Sequence, residues 1–198
     1  MAIANRNWRR RAGLAVAFAA PLALAGCAQL ANFLPFLTQP DSRPGIPPSA
    51  EYKDPGGQFT IKYPADWKES PGTGKQVVLF EGTLKLPAEV ALGVIVATVT
   101  AGVPEDVALN AYVKGYADEM KAQGETIFAT ASAKLGSENA QIVEHSIKVQ
   151  GKEFKSRQTV AIKGDKAYQL NFLVSPPETF PVWVQTATAM ADTFKILK

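Results

Sequence analysis

The segment Phe154–Val174, FKSRQTVAIKGDKAYQLNFLV, contains two strand-like runs separated by a short turn. Gly164 and Asp165 are residue types that favour such a turn. In the second run, apolar residues occupy every second position, namely Tyr168, Leu170, Phe172 and Val174. A period of two is typical of a strand that buries one face. The segment therefore predicts two antiparallel strands joined by a tight turn.

Further strand-like runs lie on both sides of this hairpin. They are QFTIKYP (58–64), KQVVLFE (75–81), EVALGVIVATVT (89–100), TIFATASAKLG (126–136), AQIVEHSIKVQ (140–150) and TFKIL (193–197). The run at 89–100 is apolar on both faces, which predicts an interior strand. The intervening segment ESPGTGK (69–75) predicts a loop, and the run at 126–136 is weakly patterned.

Two segments carry helical patterns. Pro104 and the acids after it suit a helix start, and Gly124 suits its end. Between them runs one apolar stripe: Leu109, Tyr112, Val113, Tyr116 and Met120. A second helix is predicted from about Thr179 to Asp192. Strands joined by short turns with two helices predict an α+β fold, a single domain with a mainly antiparallel twisted sheet flanked by helices. Trp67 and Trp183 are predicted to be largely buried and to anchor opposite ends of it.

The N-terminus has the marks of an export signal. Residues 1–26 contain four arginines and no acid, and residues 12–25 are almost wholly apolar. This run is too short to span a bilayer. Leu24 to Cys27 reads LAGC and resembles the bacterial lipobox, which implies cleavage between Gly26 and Cys27 and acylation of Cys27. An ordinary signal with a chance cysteine is the alternative.

The predicted organisation has three parts. Residues 1–26 are the lipoprotein signal peptide, residues 27–50 a lipidated tether with five prolines, and residues 51–198 the folded domain. The apolar patch at 33–37 is either plain linker or an additional insertion into the lipid surface. Both general and twin-arginine export remain open. The expected location is extracytoplasmic, anchored by lipid on the lumenal side of a thylakoid or in a periplasm.

The charge balance argues against a nucleic-acid partner. The chain has 21 Lys and Arg against 18 Asp and Glu. Without the leader's four arginines, 17 basic residues face 18 acidic ones, a net charge of −1. The basic character therefore belongs to the leader, and the mature protein has no excess positive charge for phosphate backbones.

Few residues suit catalysis or metal binding. The single cysteine is assigned to lipid, and the single histidine, His145, shares a predicted strand face with Val143 and Ile147. It is predicted to be a packed, hydrogen-bonded core residue, with Ser146 on the opposite face. The acidic pairs at 105–106 and 118–119 are predicted to be solvated, and GTGK at 72–75 lacks the phosphate-loop pattern. We predict no catalytic, cofactor or metal residues, and no enzyme.

Two blocks carry a family resemblance. In GGQFTIKYPADWK (56–68) the carriers are Gly57, Phe59, Tyr63, Pro64 and Trp67. In residues 151–197 they are Arg157, Gly164, Tyr168, Leu170, Asn171, Pro177, Glu178, Trp183 and Phe194. Both blocks resemble the PsbP family, the extrinsic subunits of photosystem II, some of which are cyanobacterial lipoproteins.

The resemblance implies a central antiparallel sheet between helices and a non-enzymatic role as a structural or assembly partner of photosystem II. The alternative is a general envelope lipoprotein of the DcrB type that acts as a binding or chaperone module. His145 stands where the family pattern would have an aromatic residue, which agrees with a core-filling role.

Overall fold

A computed structural model describes residues 47–82 and 88–197 of the chain. Gly26, Cys27 and nearly all of the predicted tether lie outside these ranges. The elements are β1 Ala50–Lys53, β2 Phe59–Tyr63, β3 Trp67–Pro71, β4 Gln76–Gly82, β5 Glu89–Thr98, α1 Glu105–Ala122, β6 Ile127–Leu135, β7 Glu138–Val149, β8 Lys152–Lys163, β9 Lys166–Ser175, α2 Phe180–Asp192 and β10 Lys195–Ile196. A short 3₁₀ turn, Pro177–Thr179, precedes α2.

The main sheet has seven strands in the order β3-β4-β5-β9-β8-β7-β6, and every neighbouring pair is antiparallel. The predicted hairpin is confirmed, because Lys163 pairs with Lys166 across Gly164 and Asp165. Gly164 has a φ of 59°, a left-handed conformation that glycine adopts without strain. The run at 89–100 is confirmed as an interior strand, since β5 lies between β4 and β9.

The strands form two sheets, whereas the sequence predicted one. β1, β2 and β10 make a separate three-stranded sheet. The segment after α2 turns back so that Phe194 stacks on Phe59 with ring centroids 5.1 Å apart, and the next two residues pair with β2. Strands β1 and β3 were not predicted. Residues 69–71, expected in a loop, belong to β3 and pair with β4.

The two helices cover opposite faces of the main sheet. Val160 and Ile162 of β8 pack with Leu109 and Val113 of α1 in one cluster. Ala161, between them, belongs to the larger cluster that includes Met190 of α2. Because neighbouring side chains of a strand point to opposite faces, α1 and α2 lie on different sides. The predicted α+β arrangement with helices flanking the sheet is confirmed.

The two tryptophans of the domain differ in burial. Trp67 is 4% exposed, as predicted. Trp183 is partly buried and packs against the larger cluster, so the prediction that it is largely buried is met only in part. It lies in the first half of α2, where the neighbouring Val182 is 48% exposed. The buried residues of α2 are Phe180 at its first position and Thr186, Ala187, Met190 and Ala191 in its second half.

Candidate functional site

His145 of β7 is a core residue, as predicted. Its ring is 1% exposed, its Nδ1 lies 2.7 Å from the carbonyl oxygen of Ser146, and its Nε2 lies 2.8 Å from the Tyr116 hydroxyl. A carbonyl oxygen only accepts, so Nδ1 donates to it, and Nε2 of the neutral ring accepts from Tyr116. Burial lowers the pKa of His145 and raises the pKa of Tyr116, so both groups are held neutral.

The side chain of Ser146 engages other groups. Its Oγ donates to Glu125 Oε2 at 3.0 Å and accepts from the backbone N–H of Thr126 at 2.9 Å. The two side chains thus have separate partners, as the sequence predicted. Within 47–82 and 88–197, no three His, Cys, Asp or Glu side chains are grouped to hold a metal ion. In those same ranges, no helix combines the length and apolarity that a membrane span requires.

Sequence reasoning missed a row of buried polar side chains on the α1 face of the sheet. Ser156 Oγ donates to Asn171 Oδ1 at 3.0 Å, and Gln158 Nε2 donates to Gln169 Oε1 at 2.5 Å. Gln169 in turn donates to the Tyr112 hydroxyl. These bonds join β8 to β9 and the sheet to α1. Buried polar pairs of this kind oppose slippage, because a shifted register would leave them unpaired.

A charged cluster on the α2 face fastens that helix to the sheet. Arg157 donates to Glu144 Oε1 at 2.6 Å and to Thr188 Oγ1 at 3.1 Å. Lys155 lies 3.0 Å from the second Glu144 oxygen and 4.3 Å from the Phe180 ring centroid. Burial alone would raise the pKa of Glu144, but the bonds from Arg157 and Lys155 outweigh it and hold the pKa below its ordinary value. Both cations bond to the Glu144 carboxylate, and Arg157 also contacts α2, which indicates a structural role.

The end of the main sheet at β6 is open. Among the strands of the described ranges, β6 pairs only with β7, so its outer backbone groups face away from the sheet. The segment 126–133, TIFATASA, has no charged residue and no proline. Residues 128–132 are all exposed, and Phe128 is 54% exposed. This exposure explains the weak apolar alternation of the segment, because an edge strand of small residues buries little apolar surface.

A groove of about 360 Å³ runs between α1 and this edge. Its lining combines Lys114, Ala117, Asp118 and Lys121 of α1 with Thr130 of β6 and residues of the adjoining strand and helix. Thr130 pairs with Val143, which packs against α1, so the α1 face of β6 forms the floor. We call the edge and this depression together the β6–α1 groove. The sequence did not predict it.

The comparisons place the chain in a family. The PsbP family model matches residues 49–196, and the chain belongs to that family. The family and fold predicted from the sequence are confirmed. The chain has no significant match among curated protein sequences.

Three solved structures share the fold. A protein from Bacteroides thetaiotaomicron VPI-5482 has a TM-score of 0.53 at 15% identity. The match covers 77% of this chain and 49% of that protein, so this chain spans about half of its length. The cyanobacterial PsbP (CyanoP) of Synechocystis sp. PCC 6803 has a TM-score of 0.53 at 14% identity, covering 77% of this chain and 94% of its own. LpqN of Mycobacterium tuberculosis, described as involved in cell envelope biogenesis, has a TM-score of 0.56 at 17% identity, with 71% and 83% covered.

Proposed function

We propose that this protein is a membrane-anchored binding protein that stabilises or assembles a protein complex by contact and not by turnover. The β6–α1 groove carries this proposal. A long, uncharged sheet edge is a liability in a monomer, because it invites pairing with other chains. An edge left open beside Lys114 and Lys121 of α1 fits a surface kept for a partner. Membership of the PsbP family supports a role within a complex.

The sequence before the domain supplies the anchor in this proposal. Acylation at Cys27, after cleavage behind Gly26, holds the protein on an extracytoplasmic membrane surface. The proline-rich composition of residues 27–50 predicts a semi-rigid spacer between the lipid and the domain. Anchoring raises the local concentration of the domain near membrane partners, so that modest contacts suffice for binding.

The chemistry of the described residues supports contact over catalysis. His145, the side chain with an ordinary pKa nearest neutrality, has both ring nitrogens occupied inside the core. The cluster of Glu144, Lys155 and Arg157 bonds within itself and fastens α2 to the sheet. The exposed β6–α1 groove has instead the features of a recognition surface.

Two complexes are candidates for the partner. Photosystem II is the first, because the family's PsbP resemblance and the likeness to CyanoP favour it. An envelope complex is the second, favoured by the likeness to LpqN. The extracytoplasmic location is the lumenal side of a thylakoid in the first case and a periplasm in the second.

Capture from the native membrane tests the proposal. The full-length protein is extracted in mild detergent, purified by an affinity tag at its C-terminus, and its co-purifying proteins are identified by mass spectrometry. Cys27→Ser is the control, since it removes the anchor and leaves the domain unchanged. We expect photosystem II subunits or a defined set of envelope proteins, depleted in the control. The same background proteins from both would refute an anchored binding role.

A further inference from the structure

We propose that the β6–α1 groove binds an extended, acidic segment of a partner protein, which adds to β6 as an eighth strand of the main sheet. This proposal rests on the proposed binding function and names the chemistry of the partner. Strand addition to an open edge takes its affinity from backbone hydrogen bonds and its specificity from alternating side chains.

The two edges of the main sheet differ in their defence against pairing. β3, at the other end, is five residues long and carries Lys68, Glu69 and Pro71. Charged residues and proline on a short strand are the usual means of blocking edge pairing. β6 is nine residues long, and its charge-free stretch leaves the backbone accessible. Of the two edges, only β6 is built to accept a strand.

The side chains beside β6 define what an added strand must carry. An added strand lies about 4.8 Å outside β6. On the α1 face it runs below Lys114 and Lys121, which are seven residues apart and therefore on the same face of the helix. Asp118 is the acid of the groove lining and already pairs with Lys114. The lining thus has more positive than negative charge, which matches aspartate or glutamate at alternate positions of the segment.

On the opposite face the side chains of β6 itself are small or apolar, and Lys155 of β8 lies beside them. Ala129 and Ala131 pair with Glu144 and Ile142 and point away from α1. A bulge between Ile127 and Ala129 places Phe128 on this side, where its ring centroid lies 5.2 Å from Lys155 Nζ. An added strand with apolar residues between its acids would cover Phe128 and the two alanines. The partner segment therefore alternates acidic and apolar residues.

A second copy of this chain fits the groove poorly. Antiparallel pairing of two β6 strands would bring no acid to the lysines, because residues 126–135 contain none. It would also place a second copy of Lys134 along the shared edge. Charge complementarity therefore favours a different, acidic chain.

Synthetic peptides of about seven residues, an ordinary strand length, test the proposal against the full-length lipidated protein in detergent. The probe is a fluorescein-labelled peptide of alternating glutamate and valine, with binding measured by fluorescence anisotropy. A lysine–valine peptide controls for charge. Two N-methylated glutamate–valine peptides, methylated at odd or at even positions, control for backbone pairing at constant composition. We expect saturable binding of the probe, none of the lysine peptide, and loss for one methylation pattern only, because alternate N–H groups face β6.

Two further measurements locate the site. Lys121→Glu should lower the affinity for the glutamate–valine probe by about fivefold, since a modest attraction between Lys121 and a probe glutamate becomes a repulsion. Lys195→Glu, an equally exposed lysine on β10, should leave affinity unchanged. Hydrogen exchange should show new protection at outward-facing amides of β6 on peptide binding.

Several results would overturn strand addition. One is equal affinity of both methylated peptides. Another is an equal change in probe affinity for Lys121→Glu and Lys195→Glu. A third is slow hydrogen exchange of the β6 amides before peptide is added, caused by a concentration-dependent dimer. If membrane capture succeeds and no peptide binds, strand addition is wrong and the proposed function stands. If the peptide binds as expected and capture fails, the groove is confirmed and the proposed function is wrong.

Discussion

Replacing Trp67 with alanine tests whether the packing at the start of β3 stabilises the domain. Trp67 is 4% exposed and belongs to the larger core cluster. It pairs with Gly82 of β4, where an added Cβ would lie 3.2 Å from the indole ring, so the ring packs directly on that backbone. Truncating a buried tryptophan costs about 3–5 kcal/mol. For a domain of this size that cost lowers Tm by roughly 6–20 °C.

Two further variants give the prediction its internal controls. Trp67 Nε1 is buried without a hydrogen-bond acceptor. Trp67→Phe removes this unpaired donor and keeps most of the ring packing, so it should cost only about 1–2 kcal/mol. Trp183→Ala should cost less than Trp67→Ala, because Trp183 is partly exposed. Thermal and urea unfolding, followed by circular dichroism, give the loss of stability for each of the three variants. A Tm change of about a degree or less for Trp67→Ala would refute the reasoning.

Three other predictions follow. Cys27→Ser should release the protein from membranes, and globomycin should block processing behind Gly26; failure of the wild type to incorporate labelled palmitate would exclude the lipid anchor. Burial holds the pKa of His145 below its ordinary value of 6.5, so the unfolded state binds more protons than the folded state. The free energy of unfolding should therefore fall as pH drops below about 6.5. A folded His145→Gln variant should show a smaller fall, measured by urea titration at several pH values, and should keep full partner binding. Gly136→Ala should destabilise strongly, since φ is 57° and a Cβ would lie 1.9 Å from the carbonyl oxygen of Phe194; an unchanged Tm would contradict this.

The regular elements with strong periodicity were predictable from the sequence. The hairpin of β8 and β9 has a tight turn between two patterned runs, and α1 has a stripe that ends at Gly124. Weaker signals failed. β3 was missed because a short edge strand with Lys68, Glu69 and Pro71 looks like a loop. Trp183 is less buried than Trp67, a difference that was missed because aromatic character alone does not report how deeply a helical position is covered.

The candidate groove was beyond the reach of local pattern. Whether a strand lies at an edge depends on the order of pairing across the whole sheet. β6 becomes an edge because α1 crosses the sheet face after β5, and β7, β8 and β9 then fold back towards β5. From the sequence alone, Lys114 and Lys121 of α1 would be interpreted as part of a solvated helix face. Only the folded structure shows that they lie beside β6. Of the features of the groove, the sequence itself shows only that residues 126–133 carry no charge.

The contrast between the two sheet edges bears on how one fold serves different complexes. A shared fold does not determine function, which depends on the surfaces built upon it. In this chain the core on both faces of the sheet is closed by α1, α2 and the small sheet, and β3 is guarded. In our proposal, the open backbone of β6 and the neighbouring Lys114 and Lys121 select the partner. Change of a few residues there, such as Lys121 or Ala131, would alter the partner without altering the core. The identity of the complex should therefore be sought in acidic, extended segments of neighbouring membrane proteins.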